Sequence, residues 1–161
     1  MKNILYLHGL ESSNTGSKVD FLHEVSNCYA PSIDYRDLHI EDQLIKMVKA
    51  FKPDVIIGSS IGGHAALLLG NYFSINTIAF NPAIHSRPFD PVFNKLNDAD
   101  PTLTFTPVVV LGMEDDVINP LITKEILDDA FIKCVIEEVE GMAHRIPLKV
   151  FVDIYNIYEK M

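Results

Sequence analysis

The sequence predicts a doubly wound α/β domain with a mostly parallel sheet of about six strands. Three observations predict it. Short runs that are apolar beyond their first residue, such as NILYL at 3–7, DVIIG at 54–58 and PVVVL at 107–111, read as strands buried on both faces. Longer segments between them repeat apolar residues at helical spacing. The two kinds of segment alternate from one end of the chain to the other, as helical crossovers between parallel strands require. At 161 residues the chain suits a single domain, 1–161, and is long enough to bury a real core.

The elements follow in order. Residues 3–7 form a strand that ends at the turn residues His8 and Gly9. Residues 16–25 suit a helix, with Ser13 or Asn14 available as its cap. A second, weaker strand covers 27–30. Asp37 can cap the next helix, in which Leu44, Ile45, Val48 and Phe51 share a face before Pro53 stops it. The strand at 54–58 leads into a helix over 61–73 that is apolar over most of its length, as in a domain interior. Strands at 77–80 and 107–111 come next, then Asn119 and Pro120 as N-cap and first helical residue. A last strand spans 133–138. Pro147 opens the final helix, whose Val150, Phe151, Ile154 and Tyr158 lie on one side.

Composition narrows the function. A formal charge of −9 argues against nucleic acid, which needs clustered Lys and Arg, and mildly disfavours polyanionic substrates. Cys28 and Cys134 have neither CxxC nor zinc spacing and read as buried thiols in a reducing compartment. The apolar run after Lys2 is too short for a signal peptide, and no stretch approaches the length of a membrane span. A cytoplasmic location and no membrane partner are therefore expected. No internal repeat is present. A homo-oligomer is compatible with the sequence, which carries no signal for or against one.

In open α/β sheets, ligands bind beyond the carboxyl ends of the strands, so chemistry is sought just after each strand. After the strand at 54–58 comes G-S-S-I-G, with Ser60 at the centre of G-x-S-x-G. A strand that turns sharply into a helix puts its middle residue at the tip in a strained conformation, and small neighbours let the chain pass. The bland alternative is a glycine-rich turn without chemistry. Gly58 and Gly62 centre the pattern on Ser60, which leaves Ser59 to support the turn.

A serine hydroxyl needs a base. In this class of fold the chain order is serine, acid, histidine, and only His85 and His144 follow Ser60. His144, after the final strand, is the candidate that has an acid before it. Glu114, Asp115 and Asp116 follow the strand at 107–111; Asp115 is preferred and Asp116 is its rival, for spacing does not separate them. Oxyanion donors are expected from the amides of Ile61, just after the nucleophile, and Leu10, in the loop after the first strand. His8 and Gly9 are expected to shape that loop. No H-E-x-x-H or clustered His/Cys pattern points to a metal. Ser60 is expected within hydrogen-bond reach of one ring nitrogen of His144, with the other facing Asp115.

Five segments, HGLESS (8–13), GSSIGG (58–63), FNPAI (80–84), LGMEDDVINP (111–120) and EGMAH (140–144), together resemble the small YqiA-like esterases of the α/β-hydrolase superfamily. The resemblance implies a compact single-domain hydrolase with minimal lid that cleaves short acyl esters without a cofactor. It implies Ser60 as nucleophile, His144 as base and, through the G-x-x-D spacing from Gly112, Asp115 as acid. The superfamily's early antiparallel hairpin is missing. Residues 84–106, rich in Pro, Asn and Asp, suit a small cap or a pocket-shaping loop. A thioesterase or amidase would share the triad, and a non-catalytic binding module would keep the fold alone.

Overall fold

In the computed structural model, which describes residues 1–10, 12–98, 106–130 and 133–160, the continuously apolar runs become the inner strands of one sheet. These are β1 (Asn3–Leu7), β3 (Val55–Ser59), β4 (Asn76–Phe80) and β5 (Val108–Gly112), with β2 (Asn27–Tyr29) and β6 (Val135–Val139) at the edges. The order is β2-β1-β3-β4-β5-β6, and every neighbouring pair is parallel. The inner strands are buried almost throughout, whereas β2 and β6 alternate with exposed positions because each pairs on one side only.

Side chains leave successive strand residues on opposite faces, so each inner strand feeds two cores. Ile4, Tyr6, Ile57, Phe80 and Val110 pack against α1 (Ser17–Val25) and α6 (Leu148–Tyr158), where Phe151 stacks on Phe80 with ring centroids 5.1 Å apart. Leu5, Leu7 and Ile56 pack on the other face against α2 (Ile40–Phe51) and α3 (Ile61–Phe73). Farther along, Val109 and Leu111 meet Leu127 of α5 (Pro120–Asp129). Each such fully buried aliphatic side chain contributes about 2 kcal/mol relative to an exposed one. The sheet is thus a rigid platform.

The strand order also places the site. From β1 the chain steps to one edge for β2, then returns to add β3 on the other side of β1 and continues outward. That reversal splays the loops after β1 and β3 and opens a crevice at their carboxyl ends. His8, Gly9 and Leu10 follow β1, and Ser60 follows β3.

Several local expectations are corrected. Gly16, not Ser13 or Asn14, is the N-cap of α1, and no side chain caps it; the Asn14 amide instead donates to the carbonyl of Ala30 at 3.0 Å. Asp37 does not cap α2 directly. Its carboxylate accepts the His39 N–H at 2.8 Å in a tight turn, and the helix begins at Ile40. Cys28 and Cys134 are free thiols but only half-buried, and burial pushes Cys28 up to about 11.

Within the segment at 84–106, a short helix α4 (Asn94–Asn97) packs onto the α2 and α3 side. Phe93 and Leu96 are buried there, and the Glu41 carboxylate accepts the Leu96 N–H at 2.8 Å. Residues 99–105 of that segment lie outside the described residues. Among the described residues, no helix is long and apolar enough to cross a membrane.

Candidate active site

β3 passes into α3 through Ser60, whose backbone has φ 54° and ψ −122°. An L-residue at positive φ is strained and persists only where its surroundings over-determine it. Here the Ser60 N–H donates to the Phe80 carbonyl at 3.0 Å, while its own carbonyl accepts from His64 N–H at 3.1 Å and Ala83 N–H at 2.9 Å. The flanking glycines are required by space. A Cβ on Gly62 would lie 2.2 Å from the Leu7 carbonyl oxygen, and one on Gly58 would lie 2.1 Å from the Gly62 carbonyl oxygen. Ser59 is buried beside the Tyr6 hydroxyl, so it braces the turn.

The loop after β1 lies directly against the elbow. A Cβ on Gly9 would come within 3.2 Å of Ser60 Cβ. The Ile33 N–H donates to His8 Nε2 at 3.0 Å, which places the ring proton on Nδ1, and Nδ1 donates to the Gly9 carbonyl at 2.7 Å. His8 is therefore engaged at both nitrogens and shapes the loop. Ser12 Oγ accepts the Gly9 N–H at 2.9 Å. Leu10 and Ile61 border the same cleft, and neither amide N–H is engaged by a described residue outside its own element.

Of the three consecutive acids, Asp115 is buried, while Glu114 and Asp116 are exposed. Its Oδ2 accepts from His144 Nδ1 at 2.8 Å, and its Oδ1 accepts the Val117 and Ile118 N–H groups, each at 2.8 Å. The turn after β5 thus fixes the carboxylate, and the carboxylate fixes the ring. The geometry brings His144 together with Asp115 and leaves Asp116 outside.

His144 and Ser60 line one cleft of about 890 Å³, bordered also by Tyr6, Leu10, Ile61 and Ile118. Among the described residues no hydrogen bond joins the Ser60 hydroxyl to the imidazole, so the expected contact is met on the Asp115 side alone. Catalytic hydrogen bonds often tighten only when substrate binds.

One positioning residue escaped the sequence reading. Asn81, buried and at φ 41°, directly follows β4 and ties three segments together. Its Nδ2 donates to the carbonyls of Ala143 (3.1 Å) and His144 (3.0 Å), and its Oδ1 accepts the Gly112 N–H at 2.7 Å. The loops that carry the acid and the histidine are thereby held to the strand beside the elbow. Only the FNPAI segment hinted at this, without a role.

Other histidines are engaged elsewhere. His85 bonds to Ser86 and Thr123. His64 Nδ1 accepts from the Arg87 guanidinium at 2.8 Å, and burial, reinforced by that cation, pushes its pKa from 6.5 down to about 4. The unfolded imidazole therefore takes up its proton near pH 6.5 and the folded one near pH 4, so acid favours the unfolded chain between those values. Stability present above pH 6.5 is expected to fall by about 1.4 kcal/mol per pH unit below it from this group alone. Urea midpoints at pH 7.5 and 5.0 check this: the wild type should lose more than His64→Gln, and equal losses would refute it. Among the described residues, no group of three or more His, Cys, Asp or Glu gathers to hold a metal.

Against known proteins, the model of the Uncharacterised protein family (UPF0227) matches residues 3–103. No curated protein matches the chain. Among solved structures, a monoacylglycerol lipase from Paleococcus ferrophilus superposes with a TM-score of 0.73 at 12% identity, covering 96% of this chain and 93% of that one. Est1E from Butyrivibrio proteoclasticus gives 0.69 at 15% identity, covering 99% and 87%. A protein of Xanthomonas campestris pv. campestris, assigned to the hydrolases of the alpha/beta superfamily, gives 0.69 at 16% identity over 100% of both chains. The fold is that of the α/β hydrolases.

Proposed function

The chain belongs to the Uncharacterised protein family UPF0227, the YqiA-like family, and from that premise we propose that it is a serine carboxylesterase acting on short acyl esters. The observation that carries the reading is the buried Asp115 carboxylate bound to His144 at 2.8 Å, on the rim where the Ser60 elbow opens.

In this mechanism His144 Nε2 takes the Ser60 proton as Oγ adds to the ester carbonyl carbon. The tetrahedral oxyanion is met by the amides of Leu10 and Ile61, the second at the positive end of α3. The imidazolium, stabilised by Asp115, gives its proton to the departing alcohol oxygen, leaving an acyl ester on Ser60. A water then loses a proton to His144, adds to that acyl carbon, and the collapse returns the proton to Oγ and frees the acid. Every bond formed or broken needs only this chain, substrate and water. Free thiols at Cys28 and Cys134 support a reducing, cytoplasmic setting.

The purified protein should hydrolyse 4-nitrophenyl acetate and butyrate with no added metal or cofactor. A leaving-group panel of matched ester, thioester and amide should favour the ester. No turnover above background by folded protein would remove the proposal, and a non-catalytic binding module would take its place.

A further inference from the structure

Resting on the reading of Ser60 as nucleophile, we infer that the cleft takes esters that carry a negative charge, and that Lys18 and Arg145 form its anion subsite. The chain has a formal charge of −9, so a random stretch of its surface is acidic. The described residues that line the cleft run the other way: they include Lys18, Arg87 and Arg145 and no carboxylate.

The three cations are not equivalent. The Arg87 guanidinium is already engaged, donating to Asp90 at 2.7 and 3.1 Å, to the Ala83 carbonyl at 2.9 Å and to His64. Neither Lys18 nor Arg145 has a hydrogen bond or ion pair with any described residue. They also repel each other. Burial first, then the Arg145 guanidinium, pushes the Lys18 ammonium below the usual lysine range. Two like charges on a partly desolvated wall, with no carboxylate of a described residue lining it, raise the free energy of the cleft when no anion is bound. A carboxylate or phosphate between them relieves the repulsion and replaces lost hydration with charge-assisted hydrogen bonds.

The surroundings fit that use. Lys18 lies in the first turn of α1, whose N-cap Gly16 supplies no side-chain acceptor, so the positive end of that helix adds to the same field. Hydroxyls of Ser12, Ser13 and Ser17 border the same cleft. Arg145 directly follows His144 in the chain, and both line the cleft that Ser60 enters.

Two matched pairs of esters test the subsite. In the acyl pair, 4-nitrophenyl hydrogen succinate is compared with 4-nitrophenyl butyrate. In the alcohol pair, 4-(carboxymethyl)phenyl acetate is compared with 4-ethylphenyl acetate. In at least one pair kcat/KM should favour the anion by roughly tenfold, the worth of one charge-assisted hydrogen bond, and the preferred pair shows which side carries the charge. The preference should shrink as salt is added and vanish in the Lys18→Gln/Arg145→Gln double variant. It should persist in Lys49→Gln, an exposed change on α2. Turnover without preference in either pair, or a preference that survives the double variant, overturns the subsite and leaves the esterase reading intact. If no ester is turned over, the esterase reading fails, and calorimetry of the native protein with monomethyl succinate against methyl butyrate decides the subsite. Selective binding lost in the double variant upholds it, and equal or absent binding overturns it.

Discussion

Ser60→Ala is expected to lower the turnover of 4-nitrophenyl butyrate by about 10⁴- to 10⁶-fold while the protein stays folded. The size follows from the chemistry, since no acyl-enzyme can form without Oγ, and water held near the oxyanion donors gives only a residual rate. The fold should tolerate the change. The Ser60 contacts that hold the elbow run through its backbone N–H and carbonyl, and alanine keeps both. The strained φ of 54° is unchanged as well, because alanine and serine share a Cβ. A circular dichroism melt alongside the kinetics separates loss of chemistry from loss of structure. Ser59→Ala is the matched control and should retain most activity, because that hydroxyl faces Tyr6.

Asp115→Asn should lower kcat by about 10³- to 10⁴-fold with a smaller change in KM, through a switch of tautomer. Asp115 Oδ1 accepts two backbone N–H groups, from Val117 and Ile118. An asparagine must keep its carbonyl oxygen there, which turns its amide N–H₂ toward His144 Nδ1. That nitrogen then has to accept, the ring proton moves to Nε2, and the atom needed to take the serine proton is blocked. Asp116→Asn, at an exposed position, should stay near wild type. Equal effects from the two substitutions would mean that the acid acts through bulk charge rather than by orienting the ring.

The sheet was legible because burial on both faces leaves a plain mark. Residues 3–7, 54–58 and 107–111 are apolar apart from the leading Asn3 and Asp54, and they became β1, β3 and β5 within a residue or two. The edges were less distinct. β6 carries Glu137 and Glu138 because half its surface meets water, and its limits moved to Val135–Val139. Helix starts were misread where a turn took the capping residue for itself, as Asp37 does with the His39 N–H.

At the site, the elbow was readable because its glycines answer a local steric demand. The acid was not separable from its neighbour by spacing, since that choice depends on which carboxylate the turn after β5 buries. Asn81 showed only as part of the FNPAI segment, with no role attached, because its partners at Ala143 and His144 are 62 and 63 residues away. The cations of the cleft were hidden by the net charge, an average that says nothing about which residues share a wall.

The central claim, that Ser60 attacks as a nucleophile drawn on by a histidine–aspartate pair, is tested most directly by mapping a covalent adduct. Native protein is treated with a fluorophosphonate, weighed intact, digested and sequenced by mass spectrometry. One adduct per chain, on Ser60 and absent from Ser60→Ala, is the predicted result. Protein that hydrolyses esters yet carries no adduct, or carries it on Ser59 or another residue, would contradict the account.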